Sequence, residues 1–346
     1  MNTEDVLHRA AALFYPDKRI FIGYLLTAGL MAFVAYRAFL KRPEAQRPDM
    51  KAGFFPFLFD RDVWGHTSAR QDYLFFLVNA AIYYVVVGPF LLGQEHVTLF
   101  ISRLLTTVFG PVPVPLLDGA ESMILYTLAV VVAVDLAAYG THYLQHRSSL
   151  LWHFHKVHHS AEVLTPVTLY RMHPIDLAVT SVAISLLVGA ATAVFIYLSG
   201  QKPAAFTLFG VNAVIFLFYV FGYNLRHSHV WVGFPRWLSH LLISPAQHQI
   251  HHSVALQHRD KNMGLLFGVW DWMFGTLYVP KGYEKIACGV SEEERNPFAS
   301  VLELYALPFL WAWRDARDKL AQSPLGVGSA FVFRLLFAPR QRWVEW

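Results

Sequence analysis

The chain of 346 residues is 55% hydrophobic and only 15% charged, against roughly 45–50% and 25% in soluble domains, which excludes an ordinary soluble globule and points to a membrane. The formal charge of +4 is spread over loops and the C-terminal end without a basic stripe, so nucleic acid is excluded as a partner. Cys288 is the single cysteine, which excludes an internal disulfide and a cysteine-rich iron–sulfur or zinc site within this sequence.

The opening, MNTEDVLHRA, lacks the basic start and early apolar run of a cleaved secretory signal. The first apolar run, Ile20 to Leu40, therefore reads as a retained anchor, and four more runs follow: Tyr73 to Gly93, Ser122 to Thr141, Leu177 to Gly200 and Pro203 to Tyr223. Each is about long enough to cross a hydrocarbon layer of roughly 30 Å at 1.5 Å per residue. Val97 to Leu117 is apolar but broken by Arg103, Gly110, Pro111, Pro113 and Pro115, which predicts a re-entrant or interfacial segment. With no repeat and no low-complexity linker, the chain reads as one continuous all-α domain, an integral-membrane helical bundle capped by a histidine-rich region. Within it, residues 1–120 are anchor helices, 121–280 the catalytic region and 281–346 a tail, in which Trp311, Trp313, Trp343 and Trp346 among arginines predict interfacial helices.

Lys41, Arg42, Arg47, Lys51, Arg61 and Arg70 crowd the loop between the first two runs, and the positive-inside rule predicts that loop to be cytoplasmic. Alternation then puts residues 142–176 and 224–346 on the same face, and these two stretches hold every histidine-rich segment.

His142 and His146 are four apart, so a helix aims both imidazoles from one face. LWHFHKVHHS adds His155, His158 and His159, and HQIHH repeats the pattern with His248, His251 and His252. So many imidazoles crowded at a membrane edge would be costly without a cation. Eight ligands exceed one metal's needs and fit two metals with open positions. Imidazole alone does not select the metal, but attack on an unactivated C–H bond needs redox chemistry, which iron has and zinc lacks.

These residues resemble the fatty acid hydroxylase and sterol desaturase superfamily of membrane di-iron enzymes, over about Asp135 to Pro280. The matching elements are Asp135, Tyr139, His142 and His146; Leu151, Trp152, His155, His158, His159 and Ser160; and Arg171, His173 and Pro174 in an R-x-H-P element. Ser244 and Pro245 then precede His248, His251 and His252, and a closing block holds Asn262, Gly264, Trp270, Asp271, Phe274, Gly275 and Thr276. In RHSHV, His227 matches a family histidine, while His229 stands where asparagine is common.

The resemblance implies metal ligation by the eight clustered histidines and by His227, with no catalytic residue separate from them. His173 and His229 are candidates for outer ligation or support. Asp135, Asp176 and Asp271 are candidates to orient a ligand by accepting its second imidazole N–H. It further implies two iron ions, dioxygen as co-substrate, and a membrane lipid that is hydroxylated or desaturated. Without a Rossmann fingerprint, haem-attachment motif or cysteine cluster here, the electrons are expected from a separate ferredoxin or cytochrome. The alternative is a non-redox, zinc-binding membrane protein. A transporter, however, needs ligands near the bilayer midplane, and these lie at the ends of the apolar runs and in loops.

Overall fold

In the computed structural model of the protein, the described residues are 14–82, 88, 93–112, 114–290 and 296–321. The principal helices are α1 (Ile22–Phe39), α2 (Thr67–Ile82), α3 (Gln94–Phe109), α4 (Gly119–Arg147), α5 (Ser149–His159), α6 (Pro174–Ser199), α7 (Ala213–Val220), α8 (Pro245–His251), α9 (Val269–Met273) and α10 (Val301–Ala321). The architecture is helical, with one two-stranded hairpin among the described residues.

α4 and α6 form the spine, packed along each other. Their outer faces are apolar, and Leu125, Leu128, Val132, Leu186, Leu187 and Val194 point outward into what would be hydrocarbon. α3 lies against the distal half of α6. A Cβ at Gly189 would stand 2.8 Å from Val97 Cβ, so only glycine allows this approach, and Thr98 donates to the Gly189 carbonyl at 3.2 Å. Phe75, Val157, Phe298 and Leu304, each almost fully buried, pin α10 to α2 and α5; burying each side chain of this size stabilises by roughly 1.5–3 kcal/mol.

Among the described residues, three helices, α1, α4 and α6, are long and apolar enough to cross a membrane. They correspond to the first, third and fourth expected spans. The second begins earlier, at Thr67, and is helical to Ile82, while residues 83–87 and 89–92 fall outside the described set. The broken Val97 to Leu117 segment is a helix that starts at Gln94 and stops at Gly110.

The expected fifth span is corrected. Pro203 to Tyr223 is not one helix but a hairpin, β1 (Thr207–Leu208) and β2 (Val211–Asn212), followed by the eight-residue α7. The turn residues Phe209 and Gly210 both have positive φ, at 51° and 79°, the two-residue geometry that matches strand twist. Asn212 then caps α7 by accepting from Val214 N at 3.1 Å. Hydropathy averaged over the segment hides the break.

The expected interfacial tail contains α10, with Trp311 and Trp313 on it; Trp343 and Trp346 lie outside the described residues. The C-terminal end of α4, the whole of α5, the N-terminal end of α6 and residues 224–278 gather at one end of the bundle. Hydrogen bonds from Tyr139 to Thr276, from His142 to Met263, and between Asp176 and His155 join them.

Candidate metal centre

Local structure sorts the histidines before any metal is considered. Ser148 ends α4 and caps α5 by accepting from Leu151 N, so the two helices meet at a corner that carries five of the histidines. Ser244 opens α8 with a reciprocal capping box to Gln247. On a helix, residues four apart share a face. Thus His142 pairs with His146, His155 with His159 and His248 with His252, while the middle histidine of each HxxHH faces the other way.

The result is two groups. His142, His146, His155, His159 and His251 form one; His158, His227, His248 and His252 form the other; within each, the ligand atoms lie within 4.8 Å of one another. The groups adjoin, with the His159 and His252 rings stacked at 4.8 Å. Each HxxHH motif therefore contributes to both groups. His227 stands at the centre of the second, its Nε2 3.2 Å from that of His158, 3.0 Å from that of His248 and 3.1 Å from that of His252. Around one ion, with metal–nitrogen bonds of about 2.1 Å, neighbouring ligand atoms stand roughly 3.0 Å apart at right angles and roughly 3.4 Å apart at tetrahedral angles. The observed spacings match such a shell.

Outer hydrogen bonds orient the rings. His142 Nδ1 donates to the Met263 carbonyl at 2.7 Å and His251 Nδ1 to the Lys261 carbonyl at 2.8 Å. A carbonyl can only accept, so both rings carry their proton on Nδ1 and present a bare Nε2. Both Nε2 atoms are buried without a hydrogen-bond partner, as atoms suited to ligating a cation would be. His155 Nδ1 donates to Asp176 Oδ2 at 3.0 Å and His146 Nδ1 to Asp260 Oδ1 at 3.2 Å. Gln145 holds the other Asp176 oxygen.

His248 is the exception. The Arg226 guanidinium, which can only donate, lies 2.8 Å from His248 Nδ1, so the neutral ring carries its proton on Nε2 and must release it to ligate through that atom. Burial pushes His158, His159, His227, His248, His251 and His252 well below the ordinary histidine pKa, with neighbouring histidines adding to it and, for His227, also the charges of Arg226 and Arg19. Neutral imidazoles are what a metal needs.

The remaining candidates act elsewhere. Asp135 accepts from Leu266 N, Phe267 N and Trp270 Nε1, and Asp271 from Met263 N, Gly264 N and Thr276 Oγ1. Of the three carboxylates expected to hold a ligand ring, Asp176 alone does; Asp135 and Asp271 brace the loop that supplies the Met263 carbonyl. A Cβ at Gly264 would come within 2.8 Å of Asp271 Oδ2, which is why the loop closes so tightly there.

His173 is brought to neither group. Its Nδ1 accepts from Ile175 N to cap α6, its Nε2 lies 3.3 Å from the Tyr305 carbonyl, and burial lowers its pKa to about 4. His229 donates to the Phe57 carbonyl at 2.8 Å, also outside the groups. Sequence reasoning missed Asp260, Gln145 and Arg226. The polar turn Arg259-Asp260-Lys261-Asn262, six residues beyond the third histidine block, was the available signal for Asp260; the other two had none.

Members of both groups, among them His142, His155, His158 and His227, line one end of a cavity of about 190 Å³. Val131, Val134 and Ala138 of α4, Ile184 of α6 and Ile215 of α7 form its apolar walls.

Residues 127–276 match the fatty acid hydroxylase family model. That region is similar to the fatty acid hydroxylase and sterol desaturase superfamily. Relatives include ornithine lipid hydroxylase OlsE of Rhizobium tropici, 29% identical over 53% of this chain and 49% of the relative. Others are the Delta(7)-sterol 5(6)-desaturase ERG3B of Gibberella zeae, 28% identical over 39% and 37%, and the alkylglycerol monooxygenase of Danio rerio, 26% identical over 51% and 36%. The chain thus aligns with half or less of the length of these superfamily members, and no solved structure matches it. All nine histidines of the two groups lie inside the matched region.

Proposed function

We propose that this chain is an oxygen-dependent lipid hydroxylase or desaturase, embedded in a membrane with its metal centre on the cytoplasmic face, and that each histidine group holds one iron. The observation that carries the reading is the cavity: an apolar slot between membrane-type helices that ends on both groups at once. Iron bound there would supply activation of dioxygen and oxidation of an unactivated C–H bond, redox chemistry that zinc lacks.

The protein's part is positioning and exclusion of water. Val131 is eleven residues from His142 on the same face of α4, so the slot extends about 16 Å along that helix at 1.5 Å per residue. Its walls favour hydrocarbon and strip water from the reacting segment. Asp176, Asp260 and the carbonyls of Lys261 and Met263 hold the ligand rings in one orientation and tautomer. Hydroxylation consumes one dioxygen, two electrons and two protons, placing one oxygen atom in the lipid and the other in water. Desaturation consumes the same reductant and places both oxygen atoms in water. The electrons come from a separate protein of ferredoxin or cytochrome type.

The test is a lipid profile of cells expressing the wild-type chain or His251→Ala. A lipid gaining one oxygen or losing two hydrogens only with the wild type is expected. Identical profiles, together with an iron-loaded protein that consumes no dioxygen with reductant and lipid extract, would overturn the proposal.

A further inference from the structure

We propose that Arg19, outside the region matched by the family model, binds the anionic headgroup of the lipid in this cavity, making the protein selective for lipids that carry a carboxylate or phosphate. The inference rests on the lipid-oxidising reading above and specifies its substrate class. Arg19 lies three residues before the start of α1, yet its side chain is half-buried and lines the same cavity as the histidines.

Its partners are aromatic. The guanidinium lies 5.7 Å from the centre of the Tyr223 ring and within hydrogen-bonding reach of the Tyr219 hydroxyl, and no carboxylate pairs with it among the described residues. The backbone is fastened there, since Asn224 Nδ2 donates to the Arg19 carbonyl at 3.1 Å. Arg226, the other guanidinium on the cavity wall, is already committed to the Gly264 and Leu265 carbonyls and to His248. Arg19 thus retains N–H donors that aromatic rings cannot satisfy, in a setting too poor in water to hydrate them fully.

A carboxylate or phosphate presents paired oxygens that fit a guanidinium fork, and burying such an anion requires this kind of partner. The cation sits beside Tyr223 and shares the cavity with His227, His248 and the apolar side chains of Val131 and Ile184. A lipid headgroup held by Arg19 would share one cavity with the histidines.

The full-length protein in phosphatidylcholine nanodiscs is titrated with three probes of equal chain length: hexadecanoate, hexadecyl phosphate and hexadecanol. The wild type is expected to bind at least one anion ten-fold or more tighter than the alcohol; which anion is tighter identifies a carboxylate or a phosphate headgroup. Arg19→Gln should abolish the preference and Arg19→Lys should keep part of it, with metal content unchanged in both. Equal affinity of the wild type for all three probes overturns the inference, as does a preference that survives in Arg19→Gln. Because binding is read without turnover, loss of the preference leaves the oxidase reading standing, and a protein that selects anionic lipids but never oxidises any lipid would refute the oxidase reading alone.

Discussion

Replacing Asp260 isolates the contribution of one outer hydrogen bond to metal affinity. Its Oδ1 accepts from His146 Nδ1 at 3.2 Å, whereas His142 and His251 lean on main-chain carbonyls that no substitution removes. The choice of substitution matters because Asp260 has φ 56°, where an alanine adds backbone strain of roughly 1–2 kcal/mol unrelated to the metal. Asp260→Gly removes the carboxylate without that strain, and Asp260→Asn keeps an acceptor and tolerates the conformation. Loss of such a partner typically lowers metal affinity about 10–100-fold, or about 1.4–2.7 kcal/mol. Equilibrium competition for iron against a chelator of known affinity, followed by metal analysis, measures it directly. Asp260→Gly should fall in that range and Asp260→Asn within a few-fold of wild type. Unchanged affinity in Asp260→Gly would refute the view that this carboxylate holds His146 in place.

His155→Ala, His251→Ala and His252→Ala should each lose iron and activity, whereas His258→Ala, which breaks bonds to Ser253 and Glu284, should lower the melting temperature but keep iron; full iron content in any of the first three removes that residue from the site. His227→Ala should lose metal, because three ring nitrogens converge on it, while His229→Asn should retain it, and the reverse outcome would exchange the two roles. The six histidines with lowered pKa stay neutral in the folded chain but take up protons once unfolded, so metal-free protein should lose stability as pH falls from about 7.5 through 6.5, and a melting temperature that holds or rises on acidification contradicts this. In a Cys288-free background, Lys202→Cys should be labelled in intact cells by an impermeant reagent; labelling only after lysis would invert the proposed topology.

Read alone, the sequence carried the family resemblance, the helical membrane class and the nine histidines that meet in two groups, because spacing of three and four on a helix and long apolar runs are local properties. It also carried the interruption of the Val97 to Leu117 segment, where prolines and Gly110 act on their own neighbours. The failure at Pro203 to Tyr223 was one of averaging: Phe209, Gly210 and Asn212 break the chain locally while its hydropathy stays high.

Tertiary structure alone decided how the histidines divide, since each HxxHH splits according to which helix faces it. It also decided what each carboxylate does. Asp135 and Asp271 sit in motif positions yet brace the 262–270 loop, while Asp260 reaches His146 across 114 residues of sequence, and Arg226 reaches His248 across 22. Ligand type is written in residue identity and local spacing; ring tautomer, outer hydrogen bonds and the course of the cavity depend on which distant segments the packed helices bring within 3 Å of one another.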